Sequence, residues 1–139
     1  MPKQTTKNQQ NSSVKFIIPG RLDGLNEYTK ANRTNIYSGA KLKKENEQIV
    51  IDCILYQRVK PVSNPVFINF YWFEPNKRRD KDNIASAKKF ILDALVKASI
   101  LPDDGWKYII GFSDSFDLDK QNPRIEVEIT EIPPAEDEK

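Results

Sequence analysis

Two aspartates near the centre of the chain have the type and spacing expected of ligands for a divalent metal ion. Asp80 and Asp82 are separated by one residue and follow an apolar segment at residues 66–73. Side chains at positions i and i+2 of an extended segment point to the same side, so both carboxylates can converge on one cation. Carboxylate oxygens suit Mg²⁺, which assists phosphodiester hydrolysis. The alternative is structural: Asp82 or Asn83 caps a helix, and Asp80 pairs with Arg79.

Basic residues surround these aspartates and could hold the phosphates of a polyanionic substrate. They are Lys77, Arg78, Arg79 and Lys81. Charge is also unevenly distributed along the chain. Residues 15–97 contain 16 basic and 9 acidic side chains, a net charge of +7, whereas residues 98–139 contain 4 basic and 11 acidic side chains, a net charge of −7. A basic majority of this kind favours a nucleic-acid partner, although it is also compatible with an ordinary solvated surface.

A second acidic pair, Asp103 and Asp104, supplies the other candidate metal ligands. It lies at residues 101–105, where adjacent aspartates before a glycine are also typical of turns. The sequence has no histidine and one cysteine, Cys53, which excludes histidine-dependent catalytic triads and zinc sites built from histidine or several cysteines. Hydrolytic chemistry in this chain must therefore rest on carboxylates, lysines or a carboxylate-bound metal.

The segment between the two acidic pairs predicts a helix over about residues 83–98. Apolar residues recur at helical spacing on one side and on a second, narrower strip, which is typical of a helix that packs against two partners. Lys89 lies on nearly the same bearing as Asp82 and could reach the same site. It also stands four residues before Asp93, so an ion pair within the helix is the alternative role.

The elements around these residues predict a single α+β domain with the order β-α-β-α-β-β. We expect a mixed sheet of about four strands packed with two helices. The predicted strands cover residues 14–19, 66–73, 106–112 and 124–132, and the predicted helices cover about 40–58 and 83–98. Residues 1–13 are predicted to be a disordered arm, 14–132 the domain, and 133–139 an acidic tail. The absence of a long apolar run or a secretory signal predicts a cytoplasmic protein without a membrane partner.

The segment from residue 20 to 39 is predicted to be irregular, and it is rich in side chains that can contact phosphates. Long loops in compact domains are usually functional. Together with the cations near the first acidic pair and Lys88, this segment supplies the remaining candidate DNA-binding residues: Arg21, Asn26, Tyr28, Lys30 and Arg33.

Three motifs in a fixed order resemble the RusA-type Holliday junction resolvases of bacteria and their prophages. They are RRDKDN at residues 78–83, DALVKA at 93–98 and LPDD at 101–104, and the segment PGRLDGLNEY at 19–28 is similar to the opening of that family. The resemblance covers most of residues 14–131. It implies a homodimeric endonuclease of DNA recombination and repair, which binds four-way DNA junctions and nicks two strands symmetrically with Mg²⁺ or Mn²⁺.

The resemblance also implies roles for individual residues. Asp80, Asp82 and Asp104 correspond to the metal-binding, catalytic aspartates of the family, and Asp103 is an additional candidate ligand. Lys89 corresponds to the functional lysine, because it stands four residues before the aspartate of the DALVKA motif. The stretch from residue 83 to 93 is about three residues longer than in the most familiar member of the family, so Lys88 remains the alternative.

The spacing of the motifs predicts that each metal site is shared between two subunits. A straight helix over residues 83–98 would be about 24 Å long at 1.5 Å per residue. The residues from 99 to 104 can reach back only about 20 Å when fully extended. Asp104 is therefore expected to meet Asp80 of a second subunit across a two-fold axis, rather than Asp80 of its own chain.

Two other functions fit parts of the pattern. A nucleotide-sugar transferase also binds a metal through two aspartates separated by one residue, but the chain is short and has no apparent nucleotide-binding region. A non-catalytic protein that binds branched DNA would keep the basic residues and use the carboxylates structurally. Incubation with a labelled four-way junction and Mg²⁺ separates these functions. Paired nicks support the endonuclease, and binding without cutting supports the DNA-binding protein.

Overall fold

A four-stranded sheet is built around the apolar segment at the centre of the chain. In the computed structural model, which describes residues 12–133, the strands are β1 (Ser13–Pro19), β2 (Val66–Glu74), β3 (Ile109–Leu118) and β4 (Arg124–Glu131). The order across the sheet is β1-β4-β2-β3, with β2 antiparallel to β4 and parallel to β3. The α+β class and the mixed four-stranded sheet predicted from the sequence are confirmed.

Strand β2 alternates between a fully buried face and a half-buried face. Its buried residues Val66, Ile68, Phe70 and Trp72 lie beside the buried residues of β1 and β4 on the same face of the sheet. β-branched and aromatic side chains suit this environment because they pack well on a pleated surface. The same alternation continues to the last residue of the strand, so Glu74 is also buried, at 4% exposure.

Residues 12–133 form four helices: α1 (Leu25–Thr34), α2 (Ile36–Tyr56), α3 (Lys81–Ala85) and α4 (Lys88–Lys97). Helix α2 corresponds to the first predicted helix, and α3 with α4 corresponds to the second. No helix in the described part of the chain is both long enough and apolar enough to cross a bilayer.

The second predicted helix is interrupted at Ser86 and Ala87, which corrects the expected continuous helix over 83–98. The hydroxyl of Ser86 donates to the carbonyl of Asn83 at 2.7 Å, and the amides of Ala87 and Phe90 each donate to the carbonyl three residues earlier. Serine bonds to the preceding turn and i→i−3 bonds both tighten a helix and change its direction. The chain therefore turns between α3 and α4.

Helix α1 lies inside the segment predicted to be irregular, and that prediction is wrong for Leu25–Thr34. It is also wrong at the start of α2, which begins at Ile36 rather than at about residue 40. Helix α1 begins after Gly24, whose amide donates to the Glu27 carboxylate at 2.7 Å, and it ends at Asn35. No residue of α1 is buried. Because apolar periodicity is the main sequence signal for a helix, a helix without a buried face is difficult to predict.

Two further boundaries differ from the prediction. Strand β3 begins three residues after the predicted start at 106 and extends to Leu118, beyond the predicted end at 112. The sequence pattern missed its second half, because that half is a polar edge strand without the apolar pattern that marks β2. Strand β1 begins at Ser13, inside the predicted arm. The rest of that arm, residues 1–11, and residues 134–139 of the predicted tail lie outside the described residues.

Candidate active site

A cavity of about 720 Å³ lies where the parallel strands β2 and β3 end, and Asp80 and Asp82 are among its lining residues. Glu74 and Leu118, the last residues of the two strands, are paired in register. Parallel strands place their carboxyl ends at the same edge of a sheet, which is where ligands commonly bind in α/β proteins. The chain leaves β2 at this edge and enters α3 directly after Asp80, so both aspartates are held at the cavity.

Both aspartates of this cavity are exposed to solvent. Asp80 precedes α3 in an extended conformation, and its side chain forms no capping hydrogen bond. Asp82 lies in the first turn of α3, where one carboxylate oxygen accepts a hydrogen bond from the amide of Asn83 at 3.0 Å. Neither carboxylate has an ion-pair partner among residues 12–133. The predicted alternative pair between Asp80 and Arg79 is therefore not formed.

Arg79 instead clamps the start of this segment to the end of β2. Its guanidinium donates to the two carboxylate oxygens of Glu74 at 3.3 and 2.9 Å, and to the carbonyl of Leu22 at 3.1 Å. A third contact to Glu74 comes from Arg21, at 3.4 Å. A buried carboxylate must be paired with cations or hydrogen-bond donors. Glu74 therefore fixes Arg79 and, through the backbone, the neighbouring Asp80.

Asn83 connects the same motif to the beginning of α1. Its side-chain oxygen accepts a hydrogen bond from the amide of Asn26 at 2.9 Å, and the residue is 7% exposed. A Cβ atom at Gly24 would lie 2.5 Å from that oxygen, so only glycine allows the two segments to approach this closely. Asn83 thus holds two separate segments of the chain together, rather than capping α3.

The second acidic pair lies beside the first turn of α4. The Lys89 ammonium is 3.1 Å from a carboxylate oxygen of Asp93 and 3.7 Å from one of Asp104. The hydrogen bond to Asp93 raises the pKa of Lys89 above that of an ordinary lysine, and the charge of Asp104 contributes in the same direction. Asp103 accepts a hydrogen bond from the amide of Gly105 at 3.1 Å, as expected in a turn.

The two acidic regions do not form one metal-binding cluster within a single chain. Among residues 12–133, no three acidic, histidine or cysteine side chains are close enough together to hold a metal ion. The residues that line the cavity include Asp80 and Asp82 but neither Asp103 nor Asp104. The fold therefore brings two of the predicted metal ligands together and leaves the second acidic pair apart from them.

A comparison of the chain with known protein families supports the resemblance that these motifs carry. The model of one family, endodeoxyribonuclease RusA, matches residues 3–130. The chain belongs to the RusA endodeoxyribonuclease family. No match was found among curated proteins. The match covers most of the chain, so the resemblance of its three motifs to this family is confirmed, and DNA cleavage is the activity associated with the family.

The RusA-family motif RRDKDN carries several of the predicted DNA-binding residues, and their surroundings differ. Lys77, Arg78 and Lys81 are exposed, and Lys77 and Lys81 also line the cavity. Arg79 is engaged by Glu74, so its charge is already compensated inside the protein.

The remaining DNA-binding candidates also fall into two groups. Asn26, Lys30 and Arg33 are exposed on α1, whereas Tyr28 is half-buried with its ring edge-on to Phe90. Arg21 contacts Glu74 but keeps 42% of its side chain exposed. The exposed group is accessible from solvent, and the half-buried Tyr28 contributes to packing.

The two adjacent lysines of α4 occupy different environments, which bears on the choice between Lys88 and Lys89. Lys88 is 2.7 Å from Asp114 of β3 with 15% of its side chain exposed, and its ammonium lies 4.0 Å from the centre of the Phe112 ring. Lys89 is 65% exposed and contacts Asp104. Lys89 is therefore the lysine that shares a surface with the second acidic pair, whereas Lys88 ties α4 to the sheet.

Three polar residues near the cavity were not identified from the sequence. Glu74 and Asp117 line it, and Asp114 accepts hydrogen bonds from both Lys88 and the indole of Trp72 at 2.7 and 2.8 Å. Glu74 had a usable signal, because it continues the even-numbered buried positions of β2. Asp114 and Asp117 had none, since they lie in the polar half of β3 that the sequence pattern does not mark as a strand.

Proposed function

We propose that this protein is a Mg²⁺-dependent endonuclease that resolves four-way DNA junctions by paired, symmetric nicks, and that it works as a homodimer. The observation that carries the proposal is the pair of exposed, unpaired carboxylates, Asp80 and Asp82, at a cavity lined by cations in a member of the RusA endodeoxyribonuclease family. Symmetric subunits suit a four-way junction, because the substrate has approximate two-fold symmetry and needs two matched cuts.

The donor set of the cavity fits Mg²⁺ or Mn²⁺. Both side chains offer carboxylate oxygens, the ligands that hard divalent cations prefer, and the chain has no histidine to favour zinc. Asp80 and Asp82 would hold the ion from one chain, and Asp104 of the partner subunit would complete the set with Asp103 beside it. When bound, the ion would polarise the scissile phosphate and activate water for attack.

The cations of the chain would orient the DNA and balance charge during cleavage. Lys77 and Lys81 line the cavity beside the aspartates and would hold the phosphates that flank the cut. Lys89 carries a positive charge in the neutral range, as an ordinary lysine does, and its contacts with Asp93 and Asp104 raise its pKa further. A lysine placed near the phosphate stabilises the negative charge that develops as the phosphodiester bond breaks.

A site shared between subunits accounts for the separation of the two acidic regions. The chain folds back after α4 and places Asp104 beside Lys89, away from the lining of the cavity. Glu74 and Asp117 also line the cavity, but among the described residues no three acidic side chains are close enough together to hold a metal ion. A third carboxylate would therefore have to come from elsewhere. Asp104 of the partner subunit is the candidate, and in the dimer it would bring Lys89 of the same subunit with it.

The activity itself is tested with a labelled four-way junction. We expect symmetric nicks in strands of like polarity in the presence of Mg²⁺, and no nicks in EDTA. Binding without cleavage in Mg²⁺ and in Mn²⁺ would instead support the non-catalytic, branched-DNA-binding protein, and cleavage of linear duplex at the same rate would remove the junction specificity.

The shared site is tested with mixed dimers of two inactive variants. In a dimer of one Asp80→Asn subunit and one Asp104→Asn subunit, a shared arrangement leaves one of the two sites with every aspartate intact. We therefore expect unpaired nicks from the mixed dimer and no cleavage from either parent. If each site is contained within one subunit, both sites of the mixed dimer carry a substitution, and it will be as inactive as its parents.

A further inference from the structure

The junction between α1 and α2 exposes two large side chains at the tip of a helical hairpin. A single residue, Asn35, connects the helices, and its side-chain oxygen accepts a hydrogen bond from the amide of Ser38 at 2.8 Å to begin α2. The next two side chains, Ile36 and Tyr37, are 76% and 80% exposed. All six residues from 32 to 37 are exposed. Adjacent large apolar side chains at a projecting tip are typical of a contact surface.

The hairpin holds this tip in a fixed position. Helix α1 packs along the first half of α2, and Gly39 is buried against the side chain of Asn32 near the tip. A Cβ atom at Gly39 would overlap the amide group of Asn32, so the Asn32 side chain packs directly on the backbone of α2 at this glycine. Two packed helices with a one-residue connection present Ile36 and Tyr37 on a stiff projection.

The base of the hairpin is attached to the candidate active site. Asn83 accepts a hydrogen bond from the amide of Asn26 at the start of α1, and Arg79 donates to the carbonyl of Leu22 just before it. Helix α1 has 10 residues. At 1.5 Å per residue it spans about 15 Å, which corresponds to roughly four base-pair steps of DNA. The tip therefore lies within about four base-pair steps of the start of α1, close enough for a DNA strand held at Asp80 or Asp82 to reach both.

The charge of the hairpin favours DNA as the occupant of this surface. Residues 25–45 contain five basic and two acidic side chains. The basic ones are Lys30, Arg33, Lys41, Lys43 and Lys44. A second copy of the chain is a poor alternative, because two basic hairpins repel each other and two side chains bury far less than the roughly 1,200 Å² of a stable interface.

We propose that Ile36 and Tyr37 form a wedge that enters the base stack of branched DNA at the branch point. Apolar side chains such as isoleucine separate base pairs when they are inserted between them, and a tyrosine ring stacks on an unpaired base. Stacking is already interrupted at a branch point, so insertion there costs less than in a continuous duplex. The inference rests on the proposed function and adds how the enzyme distinguishes branched from linear DNA.

The experiment compares two double variants of matched chemistry. Ile36→Ala with Tyr37→Ala removes the wedge, and Leu55→Ala with Tyr56→Ala removes a similar pair at the other end of the same helix, where the side chains are 64% and 87% exposed. The probe is a four-way junction with 2-aminopurine at the branch point, in EDTA so that no strand is cut. The 2-aminopurine stands opposite the base on which Tyr37 would stack, because a tyrosine ring stacked on the probe itself would quench it. Its fluorescence rises when it loses its neighbouring base as a stacking partner. Thermal unfolding confirms that both variants are folded.

We expect the wild-type protein and the Leu55/Tyr56 variant to raise the fluorescence equally. The Ile36/Tyr37 variant should give no rise and should bind the junction about tenfold more weakly, while its affinity for linear duplex stays unchanged. An equal rise with the Ile36/Tyr37 variant, or no rise with the wild type, overturns the wedge. Loss of self-association in this variant would also overturn it, because the tip would then be a contact between subunits.

Cleavage by the wild-type protein, measured on the same junction in Mg²⁺, separates failure of the wedge from failure of the proposed function. If the wild type cuts the junction and the Ile36/Tyr37 variant behaves like the control, the wedge alone is wrong. If the wild type binds and unstacks the junction but does not cut it, the nuclease proposal is wrong and the wedge remains. If the wild type neither binds nor cuts the junction, both fail.

Discussion

The two acidic regions of the candidate site differ in how their negative charge is balanced. Asp80 and Asp82 are exposed and have no ion-pair partner within residues 12–133, whereas Asp104 shares Lys89 with Asp93. The first region therefore has two carboxylates available for a metal ion, and the second already has a cation. Under the proposed function, the aspartates separated by one residue would recruit the metal, while the LPDD segment would bring a lysine together with its carboxylate.

The largest effect is expected from a substitution in the first region. Asp82→Asn removes a proposed metal ligand and should lower the single-turnover rate of junction nicking by roughly a hundredfold or more. The free energy of unfolding should change by less than about 0.5 kcal/mol, since the side chain is exposed. Asp52→Asn, an exposed aspartate on α2, is the matched control. A rate within a few-fold of the wild type would show that the unpaired charge of this region has no catalytic role.

A smaller effect, on stability, is expected from the clamp that positions the first region. Arg79→Gln leaves the buried Glu74 with Arg21 as its remaining cation and should lower the free energy of unfolding by about 2 kcal/mol. Denaturant unfolding measures this change. Adding Glu74→Gln should recover part of the loss, because the buried charge is then removed as well. If both variants are as stable as the wild type, the ion pair does not hold the aspartate segment in place.

The smallest effect is expected in the second region, where two adjacent lysines can be compared directly. Lys89→Ala should lower the nicking rate about tenfold with almost no loss of stability, because its side chain is 65% exposed. Lys88→Ala should instead lower the free energy of unfolding by about 1 kcal/mol, since it leaves Asp114 with only Trp72 as a partner.

Nicking assays and thermal unfolding of both lysine variants, with Lys120→Ala as an exposed control, separate the two roles. A larger loss of rate from Lys88→Ala than from Lys89→Ala, in a variant of normal stability, would transfer the functional role to Lys88. The ion pair between Lys89 and Asp104 would then be only structural.

Much of the fold could be predicted because its signals are local. The continuous apolar run of β2 and the alternating pattern of β4 each identify a strand without reference to the rest of the chain. Helix α1 was not predicted, since it fully buries none of its own residues and is held by contacts with distant parts of the chain, such as those of Asn26 with Asn83 and of Tyr28 with Phe90. The interruption at Ser86 was also missed, because a side-chain bond to the preceding turn leaves no mark in the hydrophobic period.

The sequence by itself determined the chemistry that is available and the family to which the chain belongs. The absence of histidine restricts the candidate ligands to carboxylates. Asp80 and Asp82 do line one cavity, although Asp82 lies in the first turn of α3 and not in the extended segment that the one-residue spacing assumed. Only the tertiary structure decided that Arg79 is committed to Glu74, that Lys88 is committed to Asp114, and that Asp104 lies apart from the cavity. The physical reason is that spacing along the chain fixes the relative direction of nearby side chains, whereas contacts between distant segments depend on how helices and strands pack.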